Sequence, residues 1–90
     1  MNAEQTRLFD HAILRVLDRN RSRLGFSARI IGDQLAEFGF RSPDTEQMLD
    51  RLDYLTGKKL VEEVQKEIHR NNRTWRITGE GIDYLDKGAE

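Results

Sequence analysis

Leu8, Phe9, Ala12, Ile13, Val16 and Leu17 recur every three or four positions near the start of the chain. That repeat brings side chains to one face of an α-helix, so the pattern predicts an amphipathic helix from about Ala3 to Asn20 with this stripe inward. His11 is expected to flank the stripe. Residues 20–24 lose the period and run into Gly25, predicting a connection that enters a short extended piece at Phe26. Ser27 follows as an N-cap, a hydroxyl able to accept from an unpaired N–H of the next helix. Ile31, Leu35 and Phe38 at i, i+4 and i+7 then predict a second helix over 28–38, ended by Gly39 in a left-handed cap.

Ser42-Pro43 predicts the start of a third helix over 42–56, because serine caps and proline is favoured at the first helical position. Its inward residues are Met48, Leu49, Leu52 and Leu55, and Gly57, Lys58 and Lys59 close it with cations at the negative end of its dipole. Near Leu60 the repeat falls to two residues. Leu60, Val64 and Ile68 are assigned to one strand face and Glu63, Gln65, Glu67 and His69 to the other, while Trp75 and Ile77 alternate with Thr74, Arg76 and Thr78. Arg70-Asn71-Asn72-Arg73 supplies the turn, since asparagine tolerates positive φ. The expected hairpin spans 60–78, and Ile82 with Leu85 marks a short last helix over 80–86. A two-stranded ribbon needs a partner for its apolar face, so it is expected to pack beside the helices, with the piece near Phe26 pairing on its edge.

Ninety residues, with 37% apolar and 34% charged side chains, fit one globular domain over 1–90. The formal charge is -1, too balanced for a polybasic nucleic-acid tail. No apolar run approaches the roughly 20 residues that span a bilayer, and Glu4, Arg7 and Asp10 break the order of a signal peptide, so a cytoplasmic protein with no membrane partner is expected. Without cysteine, disulfides, thiolate nucleophiles and sulfur-ligated zinc are excluded.

The residues resemble the winged helix-turn-helix superfamily, as in MarR-, ArsR- and PadR-type regulators, over nearly the whole chain. The features that carry the resemblance are the stripe Ile31, Leu35, Phe38; Leu52 and Leu55 followed by Lys59-Leu60-Val61; and the hairpin running into Trp75-Arg76-Ile77-Thr78-Gly79-Glu80-Gly81. Lys59 stands where members often carry glycine, and Ile77 where they carry leucine. The size and the ending Ile82-Asp83-Tyr84-Leu85 also look like small prophage-encoded winged-helix proteins. The resemblance implies an α+β fold, a three-helix core with a small antiparallel wing and a short C-terminal helix. It further implies a bacterial or prophage transcriptional regulator that binds double-stranded DNA, with helix 3 in the major groove and the wing on backbone or minor groove. On that reading Gln47, Arg51 and Tyr54 of the third helix, Arg70, Asn71, Asn72 and Arg73 of the wing, and Arg21 and Arg23 before Phe26 are the DNA-binding candidates. A homodimer reading two half-sites would use the first and last helices, with Leu8 and Tyr84 as its contacts.

Charge complicates this picture. Residues 42–56 carry one arginine, Arg51, against Asp44, Glu46, Asp50 and Asp53, and a helix meant for a polyanion's groove is usually basic or neutral. Asp44 and Glu46 have a structural explanation at a helix N-terminus; Asp50 and Asp53 do not. Positive charge gathers instead at Arg19, Arg21, Arg23 and Arg29 and at His69, Arg70, Arg73 and Arg76, two clusters that would merge if Phe26 pairs with the hairpin. The alternative is a protein-protein interaction module that presents the acidic third helix and binds no DNA.

Catalysis is not expected. His11 and His69 fall on different elements with no His or Cys at ligand spacing, Ser27 and Ser42 read as caps, and Gly79-Glu80-Gly81 is half a dinucleotide fingerprint lacking its strand-turn-helix unit. No cofactor and no metal are anticipated.

Overall fold

The computed structural model describes residues 2–21, 24–41, 43–64 and 73–87. Asn2 opens the first helix, α1 (Ala3–Arg19), with a capping box: its side chain accepts from the Gln5 N–H at 2.8 Å while the Gln5 amide oxygen accepts from the Asn2 N–H. Phe9, Ala12, Ile13, Leu14, Val16 and Leu17 are buried along it. The arc is rotated from the one the spacing predicts: Leu8 is 48% exposed and Leu14 fully buried, because Leu14 faces Leu55, Leu60 and Tyr84.

Phe26 exchanges two backbone hydrogen bonds with Trp75, at 2.8 and 2.9 Å, so the extended piece does pair with the hairpin. Gly25 before it has φ 71°, and a Cβ there would lie 2.5 Å from the Trp75 carbonyl oxygen, so only glycine fits. Ser27 caps α2 (Ala28–Leu35) by accepting from the Ile30 N–H. The last part of the expected second helix is a 3-10 turn, Ala36–Phe38, closed by Gly39 at φ 87°.

The third helix, α3 (Thr45–Gly57), starts later than Ser42-Pro43 predicts. Its N-cap is Asp44, whose carboxylate accepts from the Gln47 N–H at 2.7 Å. A charge-assisted cap also complements the helix dipole, which makes Asp44 the stronger start signal. Pro43 precedes that cap and lies against Gly32 of α2; Ser42 falls outside the described residues. Met48, Leu52 and Leu55 are buried, and Leu49 packs at their margin.

Strands β1 (Val61–Val64) and β2 (Thr74–Ile77) pair antiparallel, Val61 opposite Ile77 and Glu63 opposite Trp75. On β1 this shifts the expected faces by one residue, while on β2 Trp75 and Ile77 alternate with Thr74 and Arg76 as the sequence predicts. Val61 and Trp75, each 1% exposed, look into the core with Glu63 and Ile77 beside them, while Glu62, Val64, Thr74 and Arg76 take the other face. Leu60, expected on the inner strand face, precedes β1 and packs at the core's edge. The register is set by Trp75, the largest apolar side chain of the ribbon, which carries its partner row inward.

The Thr78 hydroxyl caps α4 (Gly79–Asp86), accepting from the Gly81 N–H, and donates to the Lys59 carbonyl at 2.7 Å. Gly79-Glu80-Gly81 is thus the first turn of a helix. A Cβ on Gly81 would sit 2.2 Å from the Leu60 carbonyl oxygen, so glycine permits α4 to lie against that turn. Tyr84 and Leu85 pack on the core. Among the described residues, four helices and a two-stranded antiparallel ribbon make this an α+β winged-helix fold.

Candidate nucleic-acid interface

With Met48, Leu52 and Leu55 inward, the 100° step per residue puts Glu46, Asp50 and Asp53 on the opposite, outward side of α3, and all three are exposed. Gln47, Arg51, Tyr54 and Lys58 form a neighbouring stripe on the side that faces α1. The most outward ridge of the helix is therefore acidic.

Arg51 is committed to the helix junction. Its Nε and Nη2 donate to the two carboxylate oxygens of Asp10 on α1, at 2.8 and 2.5 Å, and its guanidinium lies 4.4 Å from the centre of the Tyr54 ring. Both charged side chains are mostly covered, 24% and 14% exposed. The hydrogen bonds to Asp10 hold the guanidinium pKa above its ordinary value. Lys58 approaches the same ring from the next turn. Tyr54 is half exposed and Gln47 partly covered in the first turn.

At the wing, Arg73 donates through Nε and Nη2 to Glu63 on the paired strand, at 2.9 and 3.0 Å, and through Nη2 to Asp53 on α3 at 3.2 Å. It also lies over the Trp75 indole at 4.9 Å. These bonds raise the Arg73 pKa and lower that of Glu63. Arg73 thereby ties the ribbon to α3 and answers one of the two unexplained acids. Arg70, Asn71 and Asn72 lie outside the described residues, as does Arg23.

Arg21 pairs with Asp18 at 2.7 Å and lines a hollow of about 470 Å³ with Glu62, Arg76, Ile77 and Thr78. Arg76 itself pairs with Glu62. Pairing of Phe26 with the ribbon thus brings Arg21 beside Arg76, but on the face of Glu62, whereas Arg73 is held on the face of Glu63. The structure does not bring Arg21 and Arg73 together.

Three exposed arginines form no ion pair among the described residues: Arg15 on α1, Arg29 in the first turn of α2, and Arg41 between α2 and α3. Arg29 was legible as part of a basic run. Arg41 carried no sequence signal, being a lone cation in a loop. Asp10 was likewise invisible, since one acid on a helix flank names no partner 41 residues away.

No protein-family model matches the sequence, and no curated protein matches it. Among solved structures, the chain is similar to RosR of H. salinarum, with a TM-score of 0.73 and 25% sequence identity, over 99% of this chain and 71% of that one. No helix among the described residues is long and apolar enough to cross a membrane.

Proposed function

We propose that this chain is a winged-helix DNA-binding protein of the transcription-regulator type, acting in the cytoplasm by binding rather than by chemistry. The observation that carries the reading is the likeness to RosR, a winged-helix-like transcription regulator, along essentially the whole chain. It extends neither to the MarR, ArsR or PadR families nor to a prophage origin.

In this reading α3 enters the major groove and the wing, with Arg70, Asn71 and Asn72 at its tip, lies along the neighbouring backbone or minor groove. Gln47, in the first turn of α3, is the side chain for a base edge. Tyr54 lies farther along the same stripe. Arg51 and Arg73 serve chiefly by orientation, one fixing α3 against α1 and the other fixing the wing beside α3. Arg29 and Arg41, which spend no charge on a protein carboxylate, take phosphates, while Arg21 and Arg23 extend the contact past the sheet. The acids on α3 limit non-specific affinity, so binding depends more on groove fit and less on phosphate neutralisation, with a modest salt dependence.

A titration of labelled duplex DNA by fluorescence anisotropy across salt tests this. Affinity is expected to fall with a log-log slope of about -2 to -4, for the few phosphates neutralised. Arg29→Ala or Arg41→Ala should each flatten it by roughly one. Absence of binding to any duplex at low salt would defeat the reading. The exposed ridge of Glu46, Asp50 and Asp53 supports one other function, the docking of a basic partner protein on α3 without DNA.

A further inference from the structure

The side of α1 turned from the core is positive. Arg7, His11, Arg15 and Arg19 follow one another four residues apart, a spacing that keeps successive side chains adjacent on one helix face. The acids of the same helix offset them little: Glu4 lies in the first turn, Asp10 is held by Arg51 and Asp18 by Arg21. Arg19 has Glu37 at 2.8 Å, but Arg15 is exposed and forms no ion pair among the described residues. The local field agrees, since burial, and then the positive charges of Arg15 and Arg7, hold the His11 pKa below its ordinary value. The counterpart lies on α3. Glu46 and Asp50 are exposed and form no ion pair among the described residues, and Asp53 shares Arg73 with Glu63. Each helix also exposes one large apolar side chain beside its charges, Leu8 on α1 and Tyr54 on α3, both 48% exposed.

We propose that this face of α1 binds the acidic ridge of α3 on a second copy of the chain, in a head-to-tail contact. Charge complementarity names the occupant. Within one chain Asp10 and Arg51 close the junction of the two helices, and Arg15, Glu46 and Asp50 are left outward and unpaired. The lengths match: at 1.5 Å per residue, Arg7 to Arg15 spans about 12 Å and Glu46 to Asp53 about 10 Å. Leu8 and Tyr54 then enter the same seam, where both lose contact with water. Symmetric contacts are disfavoured, because α1 against α1 sets guanidinium on guanidinium and α3 against α3 sets carboxylate on carboxylate. A head-to-tail pair leaves one α1 face and one α3 ridge free, so association runs on to longer chains or closes into a ring. The contact rests on the exposed ridge that the second reading of function uses, with this chain itself as the basic partner, and needs no DNA.

Sedimentation equilibrium of the full-length protein, over a concentration series at low and high salt, tests this. Exposed ion pairs are individually weak, so association is expected at about 0.1–1 mM in low salt. The average mass should rise past that of a dimer and return to that of the monomer at about 0.5 M salt. Arg15→Glu and Asp50→Arg, exposed substitutions that leave the core intact, should each weaken association at least about tenfold. An equal mixture of the two variants should recover it, because the unaltered α1 of one meets the unaltered α3 of the other and the two reversed charges attract again. A monomer at every concentration, a mass that stops at the dimer or ignores salt, either variant associating like wild type, or a mixture that stays monomeric would each overturn the proposal. A lysine-rich peptide titrated into the wild-type protein reads the ridge by itself. If it shifts the NMR signals of Asp50 and Asp53 while the protein alone stays monomeric, the self-contact fails and docking of a different basic partner on α3 stands.

Discussion

Lys59 stands at φ 64° in the turn from α3 into β1, a region that costs a residue with a Cβ about 1–2 kcal/mol. Glycine avoids that cost but loses more entropy on folding. Lys59→Gly is therefore expected to stabilise the fold by about 0.5–1 kcal/mol, read as a higher midpoint in urea; an unchanged or lower midpoint would show that Lys59 is held by contacts rather than tolerated. The same residue explains why glycine is usual at this place in the fold the sequence resembles. Gly25 and Gly81 are the opposite case. An added Cβ would meet the Trp75 or the Leu60 carbonyl oxygen, both main-chain atoms that cannot swing aside. Gly25→Ala and Gly81→Ala should each cost roughly 2 kcal/mol or more, in the range of overpacked or strained sites.

Between elements, the ion pair of Asp10 with Arg51 fixes how α3 lies on α1. Asp10→Asn keeps the shape but leaves a largely covered guanidinium without its counter-charge, so a loss of about 1–2 kcal/mol in chemical denaturation is expected, below the 3–5 of a fully buried pair. If the proposed DNA binding is also lost at a temperature where the variant is folded, the pair sets the angle of α3 as well as its stability. The ribbon shows how a single element was half legible. Its existence followed from the two-residue repeat after Leu60, yet Leu60 and Val61 are adjacent apolar residues, and the apolar row Leu60, Val64 and Ile68 pointed to the face opposite Val61. Which row turned inward was decided by Trp75, whose backbone is held by Phe26 from a distant part of the chain. The start of α3 was misplaced for a local reason, two capping residues within three positions.

Across the molecule, most arginines described here are spent on nearby carboxylates: Arg19 on Glu37, Arg21 on Asp18, Arg51 on Asp10, Arg73 on Glu63 and Asp53, Arg76 on Glu62. Among the described residues, a chain with formal charge -1 folded this way presents local polarity rather than a continuous basic face. Two of the titrating groups link this arrangement to pH. Glu63 has its pKa lowered from 4.5, so its contribution is present above that value and is lost as pH falls through the folded pKa. His11 has its pKa lowered from 6.5, so the unfolded chain takes up the proton first, and stability again falls as pH drops below about 6.5. Both act in one direction. Thermal denaturation should show a decline beginning below pH 6.5 and steepening below 4.5, and His11→Gln should remove the upper part of it.

The sequence by itself determined the kinds and order of the elements, because helical and strand repeats are local consequences of which side chains must leave water. It also marked Ser27 and Gly39, whose roles depend on neighbours a few positions away. Only the tertiary structure decided which charges were available for a partner. An arginine's role depends on whether a carboxylate from a distant segment reaches it, and Asp10 for Arg51 or Asp53 for Arg73 is a pairing that the packing of helices and ribbon creates.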